Sequence, residues 1–481
     1  MIRILGKGTR LCDGVTRREL MRVGGLSLFG GMTLPRLLQA AEHGQGPQQR
    51  RREQPGAAKS VILFNLLGGP SHIDMFDMKP DAPLEIRGEF QPLQTSLPGL
   101  RICEHLPRTA RWMHRASLIR TVTHHYDAHN PLAVMTGFVS DEFEQLFPKR
   151  SDPPDIGAVC QYLGLGPKDL PGAVCLPCYP GWGDGYRRPG PYGGYLGSQY
   201  DPLFGMCQPT LQRTDLGKGQ YDLVLPLGEP MVEALHATVG LDQRRTLLQQ
   251  INRQFGIADS SPAMQRLDHF QQRAFELLSS SKTRRAFDLS QEPDGTRDRY
   301  GRNLFGSSLL MARRLVEAGV PFVSVHFDSF KRSTAAWDTH GNNFGILKEI
   351  NLPILDAAYP ALMQDLEDRG LLDTTLVVVM GEMGRTPRVG KNRSFADEAG
   401  RDHWPQCGFS LLTGGGVKSG MVYGASDRNG AYPTVNPVSP ADLVATIYQL
   451  LGINPHLTVL DLTGRPRPIA HGGEPIRGVI A

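Results

Sequence analysis

The sequence predicts an α/β fold in which a mainly parallel central sheet carries helices on both of its faces. Two observations support this prediction: short apolar runs have the form of buried strands, and amphipathic helical segments lie between them along the chain. A third observation agrees with it. Polar residues cluster directly after the apolar runs, where ligand sites of open α/β sheets lie.

Four apolar runs have the length that is typical of buried strands, and three of them contain glycine at or near their ends. Strands of this kind occur in parallel sheets that are covered on both faces. The four runs are SVILFNLLGG (60–69), PFVSVHF (321–327), TTLVVVMGE (374–382) and GFSLLTGGG (408–416).

Helical segments separate or follow these runs. Residues 304–319 and 346–370 carry apolar residues at helical spacing, and both segments end in glycine. Residues 439–452 begin with Ser439, a good N-cap, and predict a further covering helix. The order strand, helix, strand favours parallel strands.

One long segment has no periodicity. Residues 179–222 are rich in glycine, proline and tyrosine, which predicts either an ordered excursion across a site or a plain surface loop. We refer to this segment as the excursion.

Composition excludes some classes of protein. The chain has 481 residues, 40% hydrophobic and 21% charged, with a formal net charge of +4. These values are typical of a soluble globular protein, and the basic residues are too few and too scattered to indicate a nucleic-acid partner. The length allows one large α/β core or two ordinary domains.

The first 41 residues have the outline of a twin-arginine export signal. The stretch TRRELM (16–21) precedes an uncharged segment from Val23 to Pro35. That segment is shorter than the roughly 18 residues that cross a bilayer, so we expect no stable membrane span in the mature chain. Residues 42–58 then form a polar linker before one domain at 59–481. We therefore expect export to the periplasm or the outside of the cell; a disordered basic N-terminus is the alternative.

Six cysteines remain after Cys12 of the signal is set aside. The motif CLPC places Cys175 and Cys178 three positions apart. With no second CxxC motif, a four-thiolate zinc site is not indicated. A local disulfide or two buried thiols is the favoured interpretation, and redox catalysis is the alternative.

Histidines and acidic residues collect after the predicted strands. Because the carboxyl ends of parallel strands meet at one edge of a sheet, we expect these side chains to converge. Imidazole and carboxylate groups suit zinc, manganese and similar divalent ions. The residues are His72, Asp74 and Asp77 after the first run, Asp338 and His340 after the second, Glu382 and Arg385 after the third, and Asp402 and His403 shortly before the fourth.

Each cluster also has a structural explanation when taken singly, such as a capped turn at Asp338 or a salt bridge between Glu382 and Arg385. Their shared position favours the metal site. A further histidine-rich stretch, THHYDAHN (123–130), precedes a small apolar helix and offers more polar groups. These are His124, His125, Asp127, His129 and Asn130.

Several motifs together resemble a known family. FNLLGGPSHIDMFDMKP, HNPLAVMTG, WDTHGNN, GEMGRTP and GRDHWPQCGFSLLTGGGVKSGMVYGASD stand in this order behind the predicted signal. In this they resemble the exported bacterial proteins grouped as domain of unknown function family 1501, over essentially the whole mature chain. That family resembles the alkaline phosphatase and sulfatase superfamily. The resemblance implies a three-layer fold with a two-metal site at the edge of the sheet.

The resemblance also implies roles for individual residues. Asp338, His340 and His403 would bind one ion, and Glu382 would be the acidic ligand of a second. The first strand ends FNLLGG without the superfamily's early aspartate, so His72 or Asp74 would complete the second site. The ions, one or two, would be zinc, with manganese or calcium as alternatives. Arg385 or Asn130 would hold the equatorial oxygens of the ester.

The nucleophile departs from the superfamily pattern. Counting back from Thr136 and Gly137, the position of the usual serine, threonine or modified cysteine falls near Asp127. Three possibilities stay open: water activated by a metal or by His129, a carboxylate nucleophile, or a site that binds without turnover.

The function predicted from the sequence is that of an exported, metal-dependent hydrolase of phosphate or sulfate esters, acting on a small molecule or a polysaccharide. The alternative is a catalytically silent envelope protein of the same fold that binds a polysaccharide or a protein partner through the excursion.

Overall fold

An eight-stranded sheet forms the centre of the computed structural model. Its spatial order is β8-β2-β7-β6-β1-β5-β3-β4, and all neighbours are parallel except the two pairs that β7 makes. In chain order the strands are β1 (Ser60–Leu66), β2 (Ala116–Val122), β3 (Ala173–Leu176), β4 (Leu203–Phe204), β5 (Phe322–Phe327), β6 (Thr375–Met380), β7 (Gly408–Thr413) and β8 (Met421–Tyr423).

The structure describes residues 56–141, 146–213, 224–232, 246, 250, 275–330, 336–390 and 399–481. The predicted export signal and the linker up to residue 55 lie outside the described residues, as does the part of the excursion at 214–223.

Eleven α-helices are present in the described part of the chain. They are α1 (His72–Met75), α2 (Leu84–Arg87), α3 (Pro107–Ala110), α4 (Leu132–Thr136), α5 (Ile156–Tyr162), α6 (Ser281–Ala286), α7 (Asp294–Tyr300), α8 (Leu304–Ala318), α9 (Asn343–Ile346), α10 (Leu352–Asp368) and α11 (Pro440–Leu450). Among the described residues, ten further short strands form five antiparallel pairs outside the central sheet, for example Gly384–Arg385 with His403–Trp404.

Alternate residues of β1 belong to two separate cores. Ile62 and Phe64 pack with the apolar residues of α8 and α10, whereas Val61 and Leu63 pack with those of α5 and α11. Successive side chains of a strand point to opposite faces, so one core lies on each side of the sheet. The α/β fold with helices on both faces is therefore confirmed.

The predicted elements form as expected, with one difference in direction. All four apolar runs are strands, and the three predicted helical segments contain α8, α10 and α11, while α9 ends at Ile346, where the second predicted segment begins. Between α9 and α10 the chain makes a π-helical turn at Leu347–Asn351. The fourth run, β7, is antiparallel to β6 and to β2, whereas the other five pairings are parallel, so the sheet is mainly parallel as predicted.

The reversal of β7 brings its first residue, rather than its last, to the functional edge of the sheet. The loops that follow β1, β2, β5 and β6 meet there with the segment that enters β7. This edge carries the candidate site. None of the helices among the described residues has the length and apolar character needed to cross a membrane.

Candidate metal centre

Three histidines and one aspartate meet at this edge of the sheet. The side chains of His129, Asp338, His340 and His403 each offer one ligand atom, and these atoms all lie within 4.8 Å of one another. His129 comes from the loop after β2, Asp338 and His340 come from the loop after β5, and His403 comes from the segment before β7. The convergence expected of Asp338, His340 and His403 is present, and His129 joins them.

The distances fit a single small cation. His340 Nε2 lies 3.0 Å from His403 Nε2 and 3.0 Å from Asp338 Oδ1. Asp338 Oδ1 is 3.5 Å from His403 Nε2, and Asp338 Oδ2 is 3.2 Å from His129 Nε2. Ligand atoms of a tetrahedral zinc site lie about 3.3 Å apart, because each stands about 2.0 Å from the ion.

Each imidazole has a carboxylate on the side away from the cluster. His340 Nδ1 lies 2.6 Å from Asp402 Oδ1, and His403 Nδ1 lies 2.6 Å from Asp127 Oδ1. A carboxylate can only accept, so both Nδ1 atoms donate, and the Nε2 lone pairs are left to face the cluster. Metal-binding histidines are commonly oriented in this way.

The third imidazole has a looser version of the same arrangement. His129 Nδ1 lies 3.4 Å from Glu382 Oε1, and that oxygen also accepts the backbone N–H of Gly68 at 2.7 Å. Glu382 is 2% exposed, and its Oε2 has no hydrogen-bond partner in the described part of the chain. Glu382 therefore lies behind His129 rather than within the four-residue cluster.

Gly68, in the loop after β1, packs against the loop after β5 that carries Asp338. Its φ of +113° is one that L-residues with side chains rarely adopt. A Cβ there would stand 2.3 Å from the backbone nitrogen of Asp338. Only glycine allows this close approach, so residue 68 helps to fix the position of Asp338.

Arg385 contacts the cluster from its buried side, through the carboxylate of Asp338. Its side chain is fully buried, with Nε 2.9 Å from the carbonyl oxygen of Gly69 and Nη1 3.0 Å from that of Arg401. Nη2 contacts the Asp338 carboxylate. These contacts occupy the guanidinium with protein groups, so it does not face the open side of the cluster, where we expected it to hold ester oxygens.

Burial and charge act in opposite directions on the two central groups. Burial disfavours a charged His129, but the carboxylates of Asp338 and Glu382 outweigh this effect and raise the pKa of His129 to about 9. Burial likewise disfavours a charged Asp338. Arg385 and the histidines outweigh it, so the pKa of Asp338 lies well below its usual range. The protonated His129 and the ionised Asp338 thus form an ion pair, and a cation that binds here would take the place of the His129 proton.

The structure places His72 and Asp74 apart from the cluster. His72 is fully buried, and its Nε2 lies 2.7 Å from the carbonyl oxygen of Gly430. Both oxygens of the buried Asp74 accept from Arg401 at 2.7 Å, and Asn343 Nδ2 donates to it at 3.0 Å. These partners satisfy Asp74, so the second metal site expected from these two residues is not assembled by this geometry.

Two residues of the histidine-rich stretch also have specific partners. Asn130 is 2% exposed; its Nδ2 donates to Tyr126 at 3.0 Å and its Oδ1 accepts the Leu132 N–H at 3.2 Å. It therefore shapes the start of α4 rather than facing an ester. Asp127, expected near the nucleophile position, is the hydrogen-bond acceptor of His403, and this bond lowers its pKa.

The excursion forms one wall of the site. Arg188 Nη1 donates to the carbonyl oxygen of His129 at 2.6 Å, and Nη2 pairs with Asp184 at 2.9 Å. Asp328, just after β5, accepts the backbone N–H of Gly181 at 2.7 Å. The part of the excursion at 181–188 therefore contacts both the loop that carries His129 and the start of the loop that carries Asp338.

The cluster is partly open to solvent. The side chains of the four residues are between 17% and 31% exposed. Structural metal sites are enclosed, whereas catalytic sites keep one side accessible. The donor set and the carboxylates behind the imidazoles fit a divalent cation, and the partial exposure would let a substrate oxygen approach it as a fifth ligand.

The sequence indicates Asp127, Asp402 and Glu382 as site residues, but not their role in orienting the ligands. Asp402 adjoins His403 in GRDHW and was considered as a ligand, but it contacts His340 instead. The sequence did not indicate a role for Arg188, because its contact with the site is a hydrogen bond to the backbone carbonyl of His129. The positive φ of Gly68 was equally hidden, and the glycine pair at 68–69 that ends the first apolar run is the one signal that could have indicated it.

The sequence matches the model of one protein family over residues 58–480, and that family is described as "Protein of unknown function (DUF1501)". No curated protein matches the chain.

Several solved structures share a distant likeness in chain path. Ps i-CgsB in complex with k-i-k-neocarrahexaose is 13% identical, with a TM-score of 0.36, over 83% of this chain and 73% of that one. Alkaline phosphatase from the Antarctic bacterium TAB5 is 12% identical, with a TM-score of 0.35, over 83% and 100%. PsFucS1 sulfatase from Pseudoalteromonas sp. is 11% identical, with a TM-score of 0.33, over 86% and 70%.

Proposed function

We propose that this chain, which belongs to the DUF1501 family, is a metal-dependent hydrolase of phosphate or sulfate esters. One observation carries the proposal: His129, Asp338, His340 and His403 present their ligand atoms within 4.8 Å of one another at an accessible edge of the sheet. Zinc is the expected ion, because three imidazoles and one carboxylate suit it well.

The division of work among the side chains follows from their contacts. A divalent cation held here supplies Lewis-acid stabilisation of the charge that develops on the ester oxygens. Asp127 and Asp402 hold protons at Nδ1 of His403 and His340, so that both Nε2 atoms remain acceptors. Arg385 balances the negative charge of Asp338.

Water is the proposed nucleophile. Asp127, the residue nearest to the usual nucleophile position, already accepts a hydrogen bond of 2.6 Å from His403. Using it for attack would remove the group that orients a ligand. Attack by water would need no covalent intermediate on the protein, so Asp127 could keep its hydrogen bond to His403.

The first test measures bound metal. Purified protein is analysed for zinc, manganese and calcium, and His340→Ala and His403→Ala are each expected to lose most of the bound ion. His456→Ala is the matched control, because His456 is 60% exposed and lies far along the chain beside Glu474. Unchanged metal content in both site variants would remove the assignment.

The second test measures turnover. The protein is tested, before and after chelation, with separate substrates: nitrophenyl phosphate, bis-phosphate and sulfate esters, and a sulfated polysaccharide. Hydrolysis that disappears on chelation and returns with zinc supports the proposal. A protein that binds metal and cleaves none of these esters would instead favour the silent binding protein.

Export is proposed on the sequence of the N-terminus alone. Changing Arg17 and Arg18 of TRRELM to lysine is expected to keep the protein in the cytoplasm, whereas the natural chain is recovered outside the inner membrane. Cell fractionation with immunodetection measures this. Equal distribution of the two chains would contradict the twin-arginine route.

A further inference from the structure

Three buried cysteines lie where the excursion leaves the sheet and returns to it. Cys175 is in β3, Cys178 stands at the start of the excursion, and Cys207 follows β4. Cys178 is 4% exposed and Cys207 is 1% exposed. The metal centre uses none of the three.

The register of two strands brings Cys178 and Cys207 side by side. β3 and β4 are parallel, and Cys175 is paired with Phe204. Cys178 lies three positions after Cys175, and Cys207 lies three positions after Phe204, so the two cysteines are at matching distances beyond the same pair. Neighbouring strands are about 4.8 Å apart, which falls in the range of Cα separations that a disulfide spans.

The sulfur atoms agree with this geometry. Cys207 Sγ lies 3.4 Å from Cys178 Sγ, so a small rotation of the two side chains is enough to bring them to bonding distance. Cys175 is differently engaged, since its Sγ donates to the carbonyl oxygen of Cys178 at 3.4 Å. The CLPC motif therefore holds one partner of a pair, and the other partner, Cys207, lies 29 positions further along the chain, after β4.

We propose that Cys178 and Cys207 are a disulfide-forming site that fastens the two ends of segment 178–207 together. An oxidised low-molecular-weight disulfide such as oxidised glutathione accepts the electrons. One sulfur of the pair attacks it and displaces a first reduced glutathione, and the second sulfur displaces the other. Two protein thiols become one Sγ–Sγ bond, and the glutathione disulfide becomes two thiols.

Fastening the segment would act on the wall of the metal centre. The segment contains Gly181, which is held by Asp328, and Arg188, which donates to the backbone of His129. A disulfide between its two ends reduces the number of open conformations of this segment, because a cross-link restricts the unfolded state more than the folded state. The bond therefore stabilises the segment that braces the His129 loop.

Oxidation of the native protein should be slow. Burial raises the pKa of the Cys178 thiol well above its ordinary value, so little thiolate is present to react. Exchange then proceeds mainly when the excursion opens. This predicts a rate that rises on mild heating, without unfolding of the central sheet.

The test maps the cysteines of the full chain by mass spectrometry. Protein is incubated with oxidised or with reduced glutathione, quenched in acid, unfolded, alkylated and digested without reduction. We expect a linked peptide pair containing Cys178 and Cys207 in the oxidised sample alone, with Cys103, Cys160, Cys175 and Cys407 alkylated. We also expect the oxidised protein to resist proteolysis within 179–206 and to melt a few degrees higher.

Two variants make the result specific. Cys175→Ser is expected to retain the linked pair, and Cys207→Ser is expected to lose it and to keep the proteolytic sensitivity of the reduced protein. If Cys207→Ser fails to fold, Cys178→Ser provides the same comparison. Full alkylation of Cys178 and Cys207 after oxidation, or a link from Cys175 to Cys178, would overturn the proposal. Neither outcome depends on metal content or ester hydrolysis.

Discussion

The imidazoles of the site are held from behind by carboxylates, and this detail decides how well they can bind an ion. With Nδ1 protonated and donating, Nε2 is an acceptor that points at its neighbours. The arrangement fixes both the tautomer and the angle of the ring before any ion arrives. Three such pairs, to Asp127, Asp402 and Glu382, surround one cluster.

Replacing the orienting carboxylates should weaken metal binding without removing a ligand. Asp127→Asn and Asp402→Asn keep the size of the side chain, but an amide can present its NH₂ group to the imidazole and disturb the tautomer. We expect each to lower zinc affinity by roughly 10- to 100-fold, measured by competition with a chromophoric chelator.

The matched control for these changes is Asp141→Asn. Asp141 lies beside the exposed His125 at 3.9 Å and is itself fully exposed. The zinc affinity of the Asp141→Asn variant should equal that of the natural protein. Equal affinities for all three variants would show that the carboxylates do not orient the ligands.

At the residue scale, the sequence predicted the ligands better than their supports. His340 and His403 follow from histidines placed at predicted strand ends. The supports could not be predicted, because Asp127 reaches His403 from 276 positions away and the pairing depends on side-chain angles. The same limit explains Asp74, whose partner Arg401 is 327 positions distant.

At the level of elements, the turn after β1 passes very close to the backbone of the loop that carries Asp338. Gly68→Ala would force a Cβ against the backbone of Asp338 at a φ of +113°. We expect a loss of about 1–3 kcal/mol in the free energy of unfolding from strain alone, together with weaker metal binding because Asp338 must move. Chemical denaturation and metal titration measure the two effects.

Gly99→Ala separates strain from displacement. Gly99 also has a positive φ, +83°, but a Cβ there meets no atom within 4 Å. It should lower stability modestly and leave metal affinity unchanged. Equal metal affinity in the two variants would contradict the role given to Gly68.

Helix α5 begins at a carboxyl group whose protonation should couple stability to pH. Asp155 caps the helix by accepting the Ala158 N–H at 2.6 Å, and its Oδ2 has no partner among the described residues. Burial raises the pKa of Asp155 to about 8. In the unfolded chain the pKa of an aspartate is about 3.9. Between these two pKa values the folded chain binds more protons than the unfolded chain, so the free energy of unfolding falls as pH rises.

Asp155→Asn keeps a good cap and removes this titration. Relative to the natural protein, the variant should gain stability from pH 5 to pH 8, with a slope of at most about 1.4 kcal/mol per pH unit. Urea unfolding of both proteins at several pH values gives the difference, and groups common to the two cancel. Parallel curves across this range would contradict the prediction.

Elements with long apolar runs were predictable, and short or polar ones were not. Ser60–Leu66 and Thr375–Met380 are buried throughout and follow from composition. Strand Ala116–Val122 contains Arg120 and two hydroxyl residues and was missed, and Leu203–Phe204 is too short to give a signal. The direction of β7 could not be read from periodicity, because parallel and antiparallel strands buried on both faces have the same pattern.

For the molecule as a whole, the cation should add stability that a chelator removes. The four ligands are distributed from residue 129 to residue 403, so the unfolded chain has no equivalent site. At a hundredfold excess of free zinc over its dissociation constant, binding contributes about 2.7 kcal/mol. Calorimetry should therefore show a lower Tm after chelation and recovery when zinc is added.

The comparison protein for this experiment is His340→Ala. Its Tm should respond little to either chelator or zinc, whereas His456→Ala should respond as the natural chain does. A natural chain whose Tm is insensitive to zinc would contradict binding at this cluster.

The position of β1 in the middle of the sheet has a consequence for synthesis on the ribosome. Its two neighbours, β5 and β6, lie near the other end of the chain. All seven residues of β1 are buried in the folded protein. This strand is translated before its neighbours, and residue 380 must be translated before both of its edges can be paired. Fragments that stop earlier should aggregate through these edges, so a nascent chain of this protein depends on chaperones for most of its translation.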